Sequence, residues 1–264
     1  MTQPIEELAE RAATGGLFMD FDGTLSEIVP RPQDARPLPE VPDLLSELAH
    51  RFAVVSIVSG RSARELAEWL GPHVEIWGLH GAERARDGIV ELADAVRPYL
   101  DSIHSARDEA VASIERPGLA GCIVEDKGAM LGLHFRDSPD PDRVEPEIGR
   151  LAGELAGRHG LIVVPGRMVF ELRPPVTLTK RDVVERRARE LGLDAACFIG
   201  DDTVDLPGYD ALDALEADGA MCVRVAVRSA ESPSALIERA DVVVDGPRGV
   251  VRTLGELVRL TTEE

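Results

Sequence analysis

Short apolar runs that end abruptly in polar residues recur along this chain. Residues 16–19, 52–58 and 195–199 are each almost wholly apolar, and acidic, hydroxyl or glycine residues follow each run at once. Such runs are typical of strands that are buried on both faces of a parallel sheet. Helical patterns lie between them, and in one of these Leu44, Leu45 and Leu48 share a face. The pattern therefore predicts an α/β protein with a parallel sheet flanked by helices.

The middle of the chain, from about residue 84 to residue 173, has a different rhythm. It predicts two long helices, at 93–113 and 141–159, and short strands at 121–125, 130–135, 161–164 and 168–172. This mixture favours a small α/β domain with an antiparallel sheet. We therefore predict a core of residues 1–84 and 174–264, and an inserted domain of residues 85–173 that acts as a cap over the strand ends and excludes water when it closes.

Composition and charge disfavour several classes of partner and location for this protein. The 264 residues carry a net charge of −19, which disfavours nucleic acid and anionic membranes as partners and means that an anionic substrate needs local cations. No apolar run approaches the roughly 20 residues that cross a bilayer, and the acidic residues 1–13 predict a short amphipathic helix, not a signal peptide. Cys122, Cys197 and Cys222 are widely spaced, without a CxxC motif, as is typical of reduced thiols. We expect a cytoplasmic protein, and a monomer is the simplest expectation.

The most informative stretch follows the first apolar run and reads Asp20-Phe21-Asp22-Gly23-Thr24. If the run is a parallel strand, both acids lie at its carboxyl end, which is where ligands bind to an open α/β sheet. One carboxylate there can attack phosphorus, while its neighbour transfers protons to the leaving group and from water. Gly23 permits a turn close to a ligand, and Thr24 offers a hydroxyl and an amide to phosphate oxygens. The alternative is a strand that ends in an acidic turn without catalytic function.

Further motifs fall at the same predicted edge of the sheet. Ser59-Gly60-Arg61 ends the second run and precedes a helix that Ser62 can cap, which suits a phosphate cradle. Lys180 opens a charged helix, and Gly200-Asp201-Asp202 ends the third run, where carboxylate oxygens suit magnesium. Each motif alone is also explained by a turn, a helix cap or a solvated lysine. Their joint position beside Asp20 favours one shared site.

Residues 20–24 resemble the DxDGT motif of the haloacid dehalogenase superfamily of phosphotransferases. The resemblance implies a Rossmann-like core with an inserted cap, an aspartyl-phosphate formed on Asp20, and Asp22 as general acid and base. It implies Mg²⁺ as the cofactor, with one ligand from the main-chain carbonyl of Asp22. The implied catalytic residues are Asp20, Asp22, Ser59 and Lys180, the metal ligands are Asp20, Asp22 and Asp201, and the substrate contacts in the core are Thr24, Gly60 and Arg61.

Motifs in and around the inserted domain are more specific. They read GLHGAE at 78–83, EDKG at 125–128, LHFR at 133–136 and ELRP at 171–174. In these segments the chain is similar to the trehalose-6-phosphate phosphatase family, which shows GxHGxE, ExKG, LHYR and ExRP. The resemblance implies that Glu125, Lys127 and Glu171 bind the sugar from the cap, with Glu83 nearby. The alternative is that the charged residues only form ion pairs on the surface.

The chain also departs from the family pattern. The usual fourth motif, GDDxTDE, is replaced by a sequence in which Val204 and Leu206 remove a hydroxyl and a carboxylate, and Arg181 follows Lys180 in place of glycine. We expect magnesium-dependent hydrolysis of trehalose 6-phosphate. One alternative is a phosphatase for another sugar phosphate, either sucrose 6-phosphate or a glycosyl-3-phosphoglycerate. The second of these substrates carries a further anion, which Arg136 and Arg173 could bind. Another is a weakly active regulatory protein that binds sugar phosphates.

Overall fold

The computed structural model describes residues 3–29, 31–116, 118–230 and 232–262. The chain divides into two compact units, the first formed by residues 1–91 and 178–264 and the second by residues 92–177. The sequence predicted the divisions at 84/85 and 173/174, a few residues earlier in each case. The first difference arises because two strands that were not predicted follow the GLHGAE motif and extend the sheet of the first unit.

The first unit contains an eight-stranded sheet. Its strands are β1 (Gly15–Met19), β2 (Val54–Val58), β3 (Glu75–Gly78), β4 (Glu83–Arg86), β5 (Ile89–Leu92), β10 (Ala195–Gly200), β11 (Met221–Arg228) and β12 (Val242–Asp245). Their order in the sheet is β12-β11-β10-β1-β2-β3-β4-β5. The pairs from β12 to β3 are parallel, whereas β4 pairs with β3 in the antiparallel direction. The predicted parallel sheet is therefore confirmed.

Helices cover both faces of this sheet. They are α1 (Gln3–Ala9), α2 (Val41–Ala49), α3 (Ala63–Leu70), α6 (Lys180–Leu191), α7 (Leu206–Ala217), α8 (Ser234–Arg239) and α9 (Gly246–Leu260). Alternate residues of β1 serve the two faces: Leu17 and Met19 pack with α1, α2, α3 and α9, while Phe18 packs with α6, α7 and α8. This double burial is the physical reason why β1 reads as a continuous apolar run.

The second unit has its own core. A four-stranded sheet has the order β6-β7-β9-β8 and is formed by β6 (Ile123–Asp126), β7 (Leu131–His134), β8 (Ile162–Gly166) and β9 (Val169–Arg173). All three pairings are antiparallel. The helices α4 (Leu100–Ile114) and α5 (Pro141–His159) pack with inward residues of the sheet such as Leu131, Leu133 and Leu172. The predicted small α/β insertion with an antiparallel sheet is present.

The N-terminal helix is present but shorter than predicted, since α1 begins at Gln3, ends at Ala9 and buries Ile5 and Leu8. Met1 and Thr2, which the prediction also included, lie outside the described residues. In the part of the chain that the structure describes, none of the helices has the length and apolar character that a membrane crossing requires.

Candidate active site

Three central strands of the first unit carry the predicted motifs at their carboxyl ends. β10, β1 and β2 are neighbours in the sheet, and Asp201, Asp20 and Ser59 are the residues that directly follow them. A cavity of about 330 Å³ opens at this edge. The described residues that line it are Asp20, Asp22, Ile28, Val29, Ser59, Gly60, Arg61, His80, Lys180, Asp201, Asp202 and Val204.

Lys180, which lines this cavity, joins two carboxylates. Its ammonium lies 2.7 Å from Asp20 Oδ1 and 2.5 Å from Asp205 Oδ1, and its side chain is only 3% exposed. The side chain of Thr179 caps α6, which begins at Lys180 and thereby fixes the base of the lysine. Burial alone lowers the pKa of Lys180, but the two carboxylates outweigh it and raise the pKa above its ordinary value. Lys180 is therefore a permanent cation beside Asp20.

Three buried carboxylates, those of Asp20, Asp201 and Asp205, form a candidate metal site. One oxygen of each lies within 4.8 Å of the others. Burial raises the pKa of Asp20, with Lys180 opposing this, and burial together with the neighbouring carboxylates raises the pKa of Asp201 to about 8. Fully ionised, the cluster has three negative charges against one on Lys180, an excess of two (3 − 1) that one divalent cation would balance.

The turn after Asp22 is shaped around this cluster. Gly23 has φ +77°, and a Cβ placed on it would stand 2.0 Å from Asp201 Oδ2. Only glycine combines that conformation with so close an approach of a carboxylate. The all-oxygen donor set suits a hard cation such as Mg²⁺. The residues present therefore fit the metal that the sequence predicted.

Asp22 does not contact Lys180 but is held by Arg61. The Nε and Nη2 atoms of Arg61 donate to the two carboxylate oxygens of Asp22, each at 2.8 Å. The guanidinium also contacts Glu65 and lies over the rings of Phe21 and Trp69, at 5.4 and 5.7 Å from their centroids. Burial lowers the pKa of Arg61, but its bonds to Asp22 raise it overall. The predicted substrate residue Arg61 thus orients the predicted acid/base.

The loop after β2 is tightly built. The hydroxyl of Ser59 accepts a hydrogen bond from the backbone N–H of Arg61 at 3.2 Å, and the backbone N–H of Ser59 donates to Trp77. Ser62 caps α3 by accepting from the N–H of Arg64. Ser59 and Gly60 both line the cavity. The helix cap that the sequence predicted is confirmed.

Thr24 and Glu83 are not among the described residues that line the cavity. The amide of Thr24 donates to the Phe21 carbonyl, and its buried hydroxyl donates to Asp201 at 3.5 Å. The buried carboxylate of Glu83 accepts from the N–H of Ala63 at 2.9 Å, at the first turn of α3. Burial raises the pKa of Glu83. Neither residue lines the cavity itself: Thr24 contacts the lining residue Asp201, and Glu83 contacts the helix that follows the Ser59–Arg61 loop.

The two residues that depart from the family's fourth motif, Val204 and Leu206, lie in different surroundings. Val204 is 54% exposed and lines the cavity beside Asp202. Leu206 begins α7 and packs, partly buried, in the core between that helix and the sheet. Val204 therefore changes the cavity surface, whereas Leu206 contributes to packing.

The remaining predicted residues lie in the second unit, on the strands of its sheet or directly beside them. Lys127 lies 3.5 Å from Glu125 and 3.0 Å from Glu171, and His134 lies 2.7 Å from Glu125. Arg173 Nε donates to Glu171 at 3.0 Å. Arg136, suggested for a second anion, donates to the carbonyl of Arg167 at 3.5 Å. Glu125, Lys127 and Glu171 thus form one connected cluster within this unit.

Sequence reasoning missed two residues of the first site. Asp205 is fully buried and accepts from Lys180 and from the N–H groups of Asp201 and Asp202, at 2.9 and 3.1 Å. The sequence feature that could have indicated this role of Asp205 was its spacing from Asp201 within the loop. His80 lines the cavity, and its signal was its place inside the GLHGAE motif.

The parallel sheet with helices on both faces defines an α/β fold like that of a haloacid dehalogenase-like hydrolase from Bacteroides thetaiotaomicron, which superposes with a TM-score of 0.57 and 16% identity over 92% of this chain and 99% of that one. The family model for trehalose-phosphatase matches residues 18–241, and the chain belongs to that family. The trehalose-phosphate phosphatase of Mycolicibacterium paratuberculosis is 33% identical over 229 residues, which cover 77% of this chain and 55% of that protein.

Solved structures agree on the fold. A trehalose-6-phosphate phosphatase related protein superposes with a TM-score of 0.75 and 22% identity, over 94% of this chain and 99% of that one. The C-terminal domain of the Candida albicans trehalose-6-phosphate phosphatase gives a TM-score of 0.70 and 23% identity, over 97% and 95% of the two chains. The chain spans about half the length of the curated relatives that it matches.

Proposed function

We propose that this protein is a magnesium-dependent phosphatase that hydrolyses trehalose 6-phosphate through an aspartyl-phosphate on Asp20. The observation that carries the proposal is the position of Asp20 at the end of β1, where Lys180 contacts one oxygen of its carboxylate at 2.7 Å. Family membership supports the same substrate class. We propose that the first unit is a catalytic core and that the second unit, whose predicted bounds were 85–173, is a cap that determines specificity.

The reaction has two steps. In the first, a carboxylate oxygen of Asp20 attacks phosphorus, the bond from phosphorus to the sugar oxygen breaks, and that oxygen takes a proton from Asp22. In the second, water attacks the phosphorus of the aspartyl-phosphate, gives its proton to Asp22 and releases phosphate, which regenerates the Asp20 carboxylate. Lys180 and the Ser59 hydroxyl offset and bind the phosphoryl charge.

Arg61 has a defined part in this scheme. The guanidinium donates one hydrogen bond to each oxygen of Asp22 and so fixes the orientation of this carboxyl group. Arg61 therefore orients Asp22 both when it gives a proton to the leaving sugar oxygen and when it takes one from the attacking water.

Mg²⁺ would be held by the carboxylates of Asp20 and Asp201 and by the main-chain carbonyl of Asp22. When bound, the cation balances the carboxylate cluster and the charge that develops on the phosphoryl oxygens. Asp205 anchors the loop that carries Asp201, since it accepts from the N–H of that residue. Thr24 orients the same carboxylate from its buried side.

The sugar would be bound by Glu125, Lys127 and Glu171 of the second unit, whose carboxylates can accept from sugar hydroxyls. A substrate with a second anion is less favoured, because Arg173 already contacts Glu171. We accordingly prefer trehalose 6-phosphate to a glycosyl-3-phosphoglycerate.

The test is phosphate release from a panel of sugar phosphates, with Mg²⁺ and with EDTA. We expect trehalose 6-phosphate to have the highest kcat/KM and EDTA to abolish turnover. A higher kcat/KM for sucrose 6-phosphate or a glycosyl-3-phosphoglycerate would refute the substrate assignment. No turnover of any phosphate ester, together with tight binding of trehalose 6-phosphate, would instead favour the regulatory protein, which the apolar Val204 in the cavity keeps as a second candidate.

A further inference from the structure

We propose, on the basis of the phosphatase function proposed above, that His80 is a further residue of the active site and that its imidazole binds the phosphoryl group of the substrate. His80 lines the same cavity as Asp20, Ser59 and Lys180. Its side chain is half-buried. The residue follows β3, which lies beside β2 in the sheet.

The imidazole is seated on the loop that is expected to bind phosphate. The backbone N–H of His80 donates to the carbonyl of Ser59 at 2.9 Å. A Cβ on Gly60 would stand 3.0 Å from both Cε1 and Nε2 of His80, tighter than ordinary van der Waals contact. The missing side chain at Gly60 therefore gives the imidazole its space, and the ring lies directly beside Ser59 and Gly60.

The backbone that carries His80 is strained. Leu79, His80 and Gly81 have φ values of +49°, +60° and +102°, so three consecutive residues occupy the left-handed region. Leucine adopts this region rarely, and the conformation persists only where the surroundings impose it, as they do at many functional sites. Here the N–H of Leu79 donates to the carbonyl of Arg61 at 2.8 Å. Two successive N–H groups of the strained turn, those of Leu79 and His80, thus donate to carbonyls of the Ser59–Arg61 loop.

The charge of the cavity explains why a further donor is needed. Four of the described lining residues are carboxylates: Asp20, Asp22, Asp201 and Asp202. The cations Lys180 and Arg61 also line the cavity, but both contact carboxylates. An entering phosphate dianion therefore meets strong repulsion. An imidazole can donate an N–H to a phosphate oxygen in its neutral and its protonated form.

Calorimetric titration of the full chain with inorganic phosphate, in the presence of Mg²⁺, tests the proposal without requiring turnover. His80→Gly removes the imidazole and suits the left-handed backbone, so we expect the Kd for phosphate to rise about tenfold or more. Asp87→Gly is the matched control, because Asp87 also has a positive φ, +52°, and is exposed in the turn between β4 and β5. We expect this control to bind phosphate as wild type does.

A second pair of variants covers the case in which His80→Gly does not fold. Asn and Asp both tolerate the left-handed region and have nearly the same shape. His80→Asp should bind phosphate far more weakly than His80→Asn, because a carboxylate replaces a donor. Equal binding by these two variants, or binding by His80→Gly within about twofold of wild type, would overturn the proposal.

Kinetics distinguish this proposal from the substrate assignment. If His80 binds the phosphoryl group, His80→Gly lowers kcat/KM equally for trehalose 6-phosphate and p-nitrophenyl phosphate. A loss confined to trehalose 6-phosphate would mean that His80 contacts the sugar, which contradicts the proposal. If wild type failed to hydrolyse trehalose 6-phosphate while His80→Gly still weakened phosphate binding, the substrate assignment would fall and the role of His80 would stand.

Discussion

Each unit of the molecule contains a lysine between two carboxylates, and the two clusters differ in burial. In the first unit Lys180, Asp20 and Asp205 have side-chain exposures of 3%, 9% and 0%. In the second unit Lys127, Glu125 and Glu171 have exposures of 18%, 48% and 14%. The first cluster follows strands buried on both faces, whereas the second lies on a sheet whose helices pack with the opposite residues.

Because the two clusters differ in exposure, the same arrangement of one lysine and two carboxylates can have two different roles. Water is excluded around Lys180, so its two contacts are strong, and removal of the lysine leaves two buried carboxylates without a cation. Around Lys127 water replaces a lost partner, and the contacts can exchange for sugar hydroxyls at little cost. We therefore expect chemistry and stability to depend on the first cluster and substrate choice to depend on the second.

The largest expected effect is on catalysis at the first cluster. Asp20→Asn keeps the shape of the side chain but removes the nucleophilic charge, so turnover should fall by about a thousandfold or more. The melting temperature should not fall below that of wild type, because the variant relieves repulsion among buried carboxylates. Steady-state phosphate release and thermal unfolding measure the two quantities. Activity within tenfold of wild type would contradict the covalent mechanism.

Replacing each lysine compares the clusters directly. Lys180→Met leaves two buried carboxylates without their cation and should lower the free energy of unfolding by about 3–5 kcal/mol. Lys127→Met, in the more exposed cluster, should lower it by less than about 1 kcal/mol. Urea unfolding measures both. Adding Asp205→Asn to Lys180→Met should recover part of the lost free energy of unfolding. Equal losses in Lys180→Met and Lys127→Met would contradict the difference between the two clusters.

The second cluster should determine the choice of sugar. Glu171→Ala removes an acceptor for sugar hydroxyls, and we expect kcat/KM for trehalose 6-phosphate to fall roughly ten- to a hundredfold. Activity toward p-nitrophenyl phosphate should change by less than about twofold, because that ester needs only the first unit. Parallel assays on both substrates decide. An equal loss on both would mean that Glu171 supports the fold of its unit.

The smallest expected effect concerns Glu83. Glu83→Gln keeps an acceptor for the N–H of Ala63, so activity should stay within about threefold of wild type. Burial raises the pKa of Glu83 above 4.5, so the folded protein binds the carboxyl proton more tightly than the unfolded chain does. Wild type therefore loses stability as the pH rises from 4.5 to the raised pKa of the folded protein. The difference in melting temperature, variant minus wild type, should therefore grow above pH 4.5. A selective loss of sugar-phosphate turnover would instead make Glu83 a substrate residue.

Much of the fold was predictable because burial leaves a clear mark on the sequence. The run before Asp20 is apolar at every position since both faces of β1 are covered, and α5 was predicted with the bounds that the structure shows, Pro141–His159. The strands β4 and β5 were missed. Their sequences, ERAR and IVEL, contain charges because several of their side chains are exposed. Such strands have no apolar run to indicate them.

The first site was predictable to the extent that it depends on strand ends. Asp20, Ser59 and Asp201 come together because their strands are adjacent. What the sequence did not indicate was which side chain meets which. The pairing of Arg61 with Asp22, and the burial of Asp205 against Lys180, depend on side-chain geometry that spacing does not encode.

In the proposed mechanism the phosphoryl group passes through Asp20. Asp22→Asn removes the acid of the first step and the base of the second, so we expect the phospho-enzyme to form slowly and then to fail to hydrolyse. This variant, mixed with trehalose 6-phosphate and Mg²⁺ and quenched during turnover, can be digested and analysed by mass spectrometry. We predict one phosphoryl group on Asp20, absent when Asp20→Asn is added to the variant. Phosphate release without any phosphorylated peptide, or a phosphoryl group on another residue, would contradict the account.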